Sequence, residues 1–159
     1  MTAGHRRRRW NDDGQVGGIE GLLFGVAVFA LGSLFIANVW AVVDARFAAA
    51  SAAREATRTF VESRGPLDRA LLESEEVAER TISGYGRDPH KMSLVPEEAA
   101  LRRCSRVTFR VEYPVPLVSI PLIGRYGRGF TASARHSEIV DPYRSGLRDR
   151  TSCPPSFEP

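Results

Sequence analysis

Three patterns of apolar and polar residues succeed one another along the chain, and each predicts a different element. Residues 21–43 read GLLFGVAVFALGSLFIANVWAVV, a run without a charge in which only Ser33 and Asn38 interrupt the apolar and glycine positions. At 1.5 Å rise per residue, a helix of this length reaches about 34 Å, enough for a hydrocarbon core of about 30 Å. A helix buried in a soluble core would show a polar face at helical spacing. A cleaved secretory signal would carry a shorter apolar region, about 7–15 residues, ending in a small-x-small site. The run therefore predicts a transmembrane helix over residues 19–43. The next stretch, DARFAAASAAREATRTFVES over residues 44–63, is dense in alanine and holds no Gly or Pro. Alanine is the best helix former, so the helix continues outward for several turns. Its small side chains suit close packing on a sheet or on neighbouring helices. Arg64, Gly65 and Pro66 end it, because proline cannot continue a helix.

A second helix is predicted over residues 67–82, with Leu67, Ala70, Leu71, Val77, Ala78 and Ile82 near the spacing of one face. Glu73, Glu75, Glu76 and Glu79 form its solvated face, and residues 84–89 form a loop. Over residues 106–113, Val107, Phe109, Val111 and Tyr113 alternate with Arg106, Thr108, Arg110 and Glu112, the two-residue period of a half-buried strand. Pro114, Pro116 and Pro121 make residues 115–123 an extended edge or crossing segment. Gly124, Gly127 and Gly129 mark a turn, and residues 130–140 return as a second strand with Phe130, Ala132 and Ala134 on one face. The fold class that follows is α+β: a long N-terminal transmembrane helix continuing into a small extracytoplasmic domain with a second helix and an antiparallel hairpin. The organisation reads as a basic cytoplasmic leader (1–18), the span (19–43), the outer domain (44–143) and a flexible tail (144–159).

Charge sets the orientation. Arg6, Arg7, Arg8 and Arg9 precede the span, while Arg46 and Arg54 follow it more sparsely. The positive-inside rule places the N-terminus in the cytoplasm and the later domain outside, and Trp40 falls near the outer end, where an indole prefers headgroups. The net charge of +3 is mild, and the 22 basic residues, all arginine except Lys91, are interleaved with acids beyond Arg9. No nucleic-acid partner is indicated. Cys104 and Cys153 allow one pairing, which an extracytoplasmic site permits; two free thiols are the equal alternative. His90 and His136 stand apart, with no nucleophile–base pair or metal spacing around them. Gly84-Tyr85-Gly86-Arg87 lacks the strand-to-helix setting of a phosphate loop. The reading is of no enzyme, no metal and no cofactor.

Glu20 opens the apolar helix, where a carboxylate is costly unless it reaches the interface or a cation. In the first turn it would favour the positive end of the helix dipole. Gly21 and Gly25 form a GxxxG pair, with Gly32 beyond, a face that lets another helix approach closely. A basic leader, a glycine region, a Glu opening an apolar helix and an Ala-rich continuation resemble the N-terminal half of TadE-like minor pilins of the type IV pilin superfamily. GRGFTASARHSEIVDPYRSGL resembles the closing strand of the actinobacterial TadE-like group, so the likeness covers most of residues 12–147.

The resemblance implies a structural or assembly component of a Tad-type pilus or related secretion filament. Its partners would be the lipid bilayer, other pilin-like subunits or membrane helices, and a prepilin peptidase. In that superfamily the peptidase cuts after a Gly and leaves the Glu fifth in the mature chain, where it meets a neighbour's new amine during assembly. This chain departs from the pattern: with Glu20 fifth, Val16 is first and Gln15, not Gly14, precedes the cut. Two other classes stand beside the filament reading. One is a membrane-anchored binding or sensory module outside any filament; the other is an accessory subunit of a membrane complex.

Overall fold

The computed structural model describes residues 16–116, 129–147 and 153, and the chain divides into two units, residues 1–37 and 38–159. Helix α1, Val16–Glu62, contributes to both. In the first unit its large apolar side chains, among them Leu22, Phe24, Phe29, Phe35 and Ile36, are exposed. None of the most apolar stretch is buried within the chain. A helix of this length and composition is consistent with membrane anchoring.

The second unit is α+β. After α1 come α2 (Leu67–Gly84), a 3-10 turn at Pro89–Lys91, then β1 (Ser93–Ala99), β2 (Arg106–Val115) and β3 (Phe130–Ile139). The strands form one antiparallel sheet in the order β1-β2-β3. Along α1, Ala45, Ala48, Ala49, Ala52, Ala53, Ala56, Thr57 and Phe60 are fully buried. Steps of three and four residues put them on one stripe. The six alanines pack with Val111, Tyr113, Val115 and Ala132 of the sheet and with Ala78 and Ile82 of α2. A second cluster joins Phe60, Ala70, Val107, Phe109 and Val140, and the Phe60 and Phe109 rings meet edge-on at 5.3 Å. Buried hydroxyls are satisfied locally, Thr57 donating to the Ala53 carbonyl and Ser74 to that of Ala70, each at 2.7 Å.

The two clusters fix direction. Val111, Tyr113 and Val115 share a cluster with the alanines, whereas Val107 and Phe109 share one with Phe60, so β2 runs antiparallel to this part of α1. Helix α2 does the same, with Ala70 beside Phe60 and Ala78 and Ile82 beside the alanines.

Several expectations change. The antiparallel hairpin is two-thirds of a three-stranded sheet, because β1 adds itself to β2 with a register shift between Pro96 and Glu98. That irregularity, and a proline on an edge strand, erase the alternation by which a strand is recognised. Strand β2 continues through Pro114 to Val115. Strand β1 pairs only as far as Ser93 opposite Glu112, so at Pro114 β2 has one neighbour, the setting that tolerates proline. Helix α2 extends to Gly84 rather than residue 82. The tail boundary also moves, since Leu147 packs against the Phe60 cluster and Arg144 is held on both its backbone and its side chain. Pro121, Gly124, Gly127 and most of the tail beyond residue 147 lie outside the described residues.

Candidate functional site

The candidate anchoring and assembly residues sit on α1. Gly14 and Gln15 of the processing region lie outside the described residues, and Val16 begins the helix. Glu20 is therefore the fifth helical residue, and the first turn contains no acid. This corrects the dipole account of Glu20, because the favourable field of a helix N-terminus fades after the first turn. Glu20 is exposed. A Cβ added at Gly21, Gly25 or Gly32 would meet nothing within 4 Å. The chain leaves these notches open.

A polar junction forms in the second unit where the alanine stripe begins. Helix α2 closes with Gly86 at φ +70°. The Gly86 amide donates to the Ser83 carbonyl at 2.8 Å and the Arg87 amide to that of Ile82 at 3.3 Å. This paired Schellman pattern needs a left-handed residue after the helix, which glycine supplies without a Cβ penalty. The turn delivers Arg87 to α1, where its Nη2 lies 2.7 Å from Asp44 Oδ2 and donates to the Ala41 carbonyl at 3.1 Å. The guanidinium carbon stands 5.3 Å from the centre of the Tyr113 ring, within cation–π range. One arginine thus ties α1, the end of α2 and β2 together. Read as part of a loop, Arg87 gave no sign of this role; Gly86 just after the helix was the available signal. About two turns further along α1, Ser51 and Tyr85 share a hydrogen bond of 2.8 Å between their hydroxyls.

The other end of the second unit is held by two more arginines. Arg103 donates through Nε and Nη2 to the Arg144 carbonyl, at 3.2 and 2.8 Å. Arg144 in turn donates to the Val61 carbonyl at the end of α1, a cation placed where the helix dipole is negative. Burial, and secondarily the charge of Arg64, lower the Arg144 pKa from its ordinary value. Cys104 and Cys153 form a disulfide with their Cα atoms 5.4 Å apart. Cys104 is buried and has a left-handed backbone, φ +62°, while Cys153 is exposed.

On the sheet face turned away from the alanines, Arg110 stands between Glu97 and Glu112, each with a carboxylate oxygen 2.9 Å from the guanidinium. A groove passes Arg46, Glu97, Arg110, Ser133 and Arg135; it contains neither His nor Cys. His136 Nε2 lies 3.2 Å from Glu138 on the same strand, and the His90 amide is held by Asp88 at 3.1 Å. Of the expected acidic face of α2, Glu75 and Glu76 are exposed, whereas Glu73 accepts from the Ser63 hydroxyl at 2.8 Å. Among the described residues no three of His, Cys, Asp and Glu converge as a metal ion would require. No protein-family model, curated protein or solved structure matches the chain.

Proposed function

We propose that the chain is a structural or assembly subunit, minor-pilin-like, of a Tad-type pilus or a related secretion filament. In this reading α1 is both membrane anchor and packing helix, and the second unit lies outside the cytoplasm. The observation that carries the proposal is α1 itself, one helix of 47 residues. Its apolar early part is unburied by the chain, and its alanine-rich later part is buried against the sheet of a small α+β unit. Two features support the orientation: Arg6 to Arg9 precede the span, favouring a cytoplasmic N-terminus, and the Cys104–Cys153 disulfide suits an oxidising compartment.

Assembly is the mechanism. Open notches at Gly21 and Gly25 let a second helix backbone approach. Glu20, an acid among exposed apolar residues, sets the register by meeting a cation on a neighbouring subunit. Sequencing the N-terminus of the protein recovered from cells tests the reading. A start at or near Val16 that is lost when the prepilin peptidase is removed supports it; an intact Met1 or Thr2 in every fraction counts against it. Glu20→Ala is expected to block assembly while leaving membrane insertion intact, and unchanged fibre output would refute the registration role.

Gln15 favours a second reading, because it precedes Val16 where the resembled family has glycine. In that reading the chain is an uncleaved, single-pass anchor for an extracytoplasmic binding or sensory module.

A further inference from the structure

We propose that the outer edge of β3 binds an extended acidic segment of another polypeptide, which adds to the sheet as a fourth strand. This inference rests on the second unit alone and is independent of the filament and anchoring readings.

The backbone of β3 supplies the hydrogen-bonding template. The Val140 amide donates to the Ser105 carbonyl at 3.0 Å, and the Val140 carbonyl accepts from the Cys104 amide at 2.9 Å. Both polar groups of Val140 therefore face the β2 side. In an antiparallel pair this direction alternates from one residue to the next, and β3 keeps register with β2 from Phe130 to Ile139 without a shift. Ser133, Arg135, Ser137 and Ile139 thus turn amide and carbonyl away from β2. These four residues are exposed, whereas Ala134, His136 and Glu138 between them are half-buried. Among the described residues no strand but β2 pairs with β3. The opposite edge of the sheet differs. Strand β1 carries Pro96 and a register shift beside it, two devices that discourage a further strand. Strand β3 has neither.

Charge beside this edge selects the occupant. The groove at the middle of β3 is lined by Arg46 and Ala50 of α1, Ser133, Ala134 and Arg135 of β3, and Glu97 and Arg110. Three arginines stand there against one carboxylate, and Arg110 already holds that carboxylate at 2.9 Å. Arg46 and Arg135 are exposed, and no acid among the described residues is paired with either. Arg46 approaches from the α1 side of the sheet, while Arg135, opposite Arg110 on β2, belongs to the other face. Successive residues of a strand point to opposite faces. Two neighbouring acids in an added strand would therefore reach one arginine each. Main-chain pairing supplies affinity in such strand addition and the side chains supply selectivity. A second copy matches less well. Its β3 would bring Arg135 again to a groove rich in arginine, and its β1 shows Pro96, which has no amide to give.

Fluorescence anisotropy tests this with the full chain in detergent micelles and a labelled peptide, Thr-Val-Glu-Glu-Val-Thr. Two derivatives carry N-methyl groups on alternate amides, one on each set. The expected result is binding of the parent peptide, retained when one set is methylated and lost when the other is. A Lys-Lys version of the peptide should not bind. Arg46→Gln and Arg135→Gln should each weaken binding about five-fold, the scale of one exposed ion pair, and Arg80→Gln on α2 should leave it unchanged. No binding of the parent peptide, or equal binding of the Lys-Lys version, would overturn the proposal. Binding that survives methylation of either set would reduce the contact to charge alone and overturn strand addition, as would loss with both sets. Cross-linking between two copies through Ser137→Cys, undiminished by excess peptide, would assign the edge to a second copy and also overturn it. The methylated peptides need no variant of the protein, so the test stays decisive if a substitution disturbs folding.

Discussion

Opening the Cys104–Cys153 bridge is expected to remove a large part of the second unit's stability. The two residues are 49 apart in sequence. In the chain-entropy treatment, a closed loop of that size restricts the unfolded chain by about 4 kcal/mol at 25 °C. Domains of ordinary size have only about 5–15 kcal/mol in total. A second, local contribution comes from Cys104, whose backbone sits at φ +62°. A non-glycine residue there costs roughly 1–2 kcal/mol, while glycine gives back roughly 0.5–1 kcal/mol through greater freedom in the unfolded chain. The Cys104→Ala/Cys153→Ala pair should therefore lose about 4 kcal/mol. The Cys104→Gly/Cys153→Ala pair should lose less, by roughly 0.5–1 kcal/mol. Urea unfolding of the full chain in detergent micelles, followed by near-ultraviolet circular dichroism, reads both effects. With a slope of about 2 kcal/mol/M, the first pair should unfold about 2 M earlier than the oxidised protein. Reduced wild-type protein should behave like the first pair. Coincident curves for oxidised and reduced wild type would refute the loop-closure account, and a Gly pair less stable than the Ala pair would refute the backbone term.

Four further outcomes are expected from the packing and the caps. Phe60→Ala empties the centre of the second cluster and should cost about 3–5 kcal/mol in the same urea assay. Ala49→Leu forces a larger side chain between α1 and the sheet and should cost about 1–3 kcal/mol, whereas Ala49→Ser should cost less. Gly86→Ala places a Cβ at φ +70° and should cost roughly 1–2 kcal/mol; hydrogen exchange should show faster opening at the Arg87 amide if the turn relaxes. Arg144→Ala removes the cation from the end of α1 and should cost about 1–3 kcal/mol, with the loss read as earlier exchange of the last turn of α1.

The sequence was legible where one element carries its own period. The apolar run and the alanine run predict α1, and the alternation of Val107, Phe109, Val111 and Tyr113 predicts β2, because each pattern records which face is buried. Strand β1 was not legible: SLVPEEA holds a proline and two acids, and the shift at Pro96 and Glu98 breaks its alternation. Its presence depends on β2 offering an edge, which is tertiary information. Arg87 was hidden for the same reason. A charged residue in a Gly-rich turn looks solvated until the fold sets Asp44, Ala41 and Tyr113 around it. The cysteines illustrate a middle case, since composition allowed their pairing and only the approach of residue 153 to Cys104 decided it.

Glu20 is where local and tertiary reasoning meet. Sequence position suggested a carboxylate in the first turn, eased by the helix dipole, but α1 begins at Val16 and moves Glu20 past that turn. Around it Ile19, Leu22 and Leu23 are exposed, and among the described residues no cation is paired with it. If this part of α1 is in lipid, the helix no longer offers the acid compensation from its own N-terminal field. The stabilising group must then be headgroup water or a cation on another molecule. The two alternatives are separated by the effect on association of Glu20→Gln, which keeps the size of the side chain and its capacity to hydrogen-bond but removes the charge. Headgroup hydration predicts unchanged or easier membrane insertion and unaltered association. A cation on a partner predicts unchanged insertion and lost association, measurable as loss of cross-linked oligomer from cysteines introduced on facing helices.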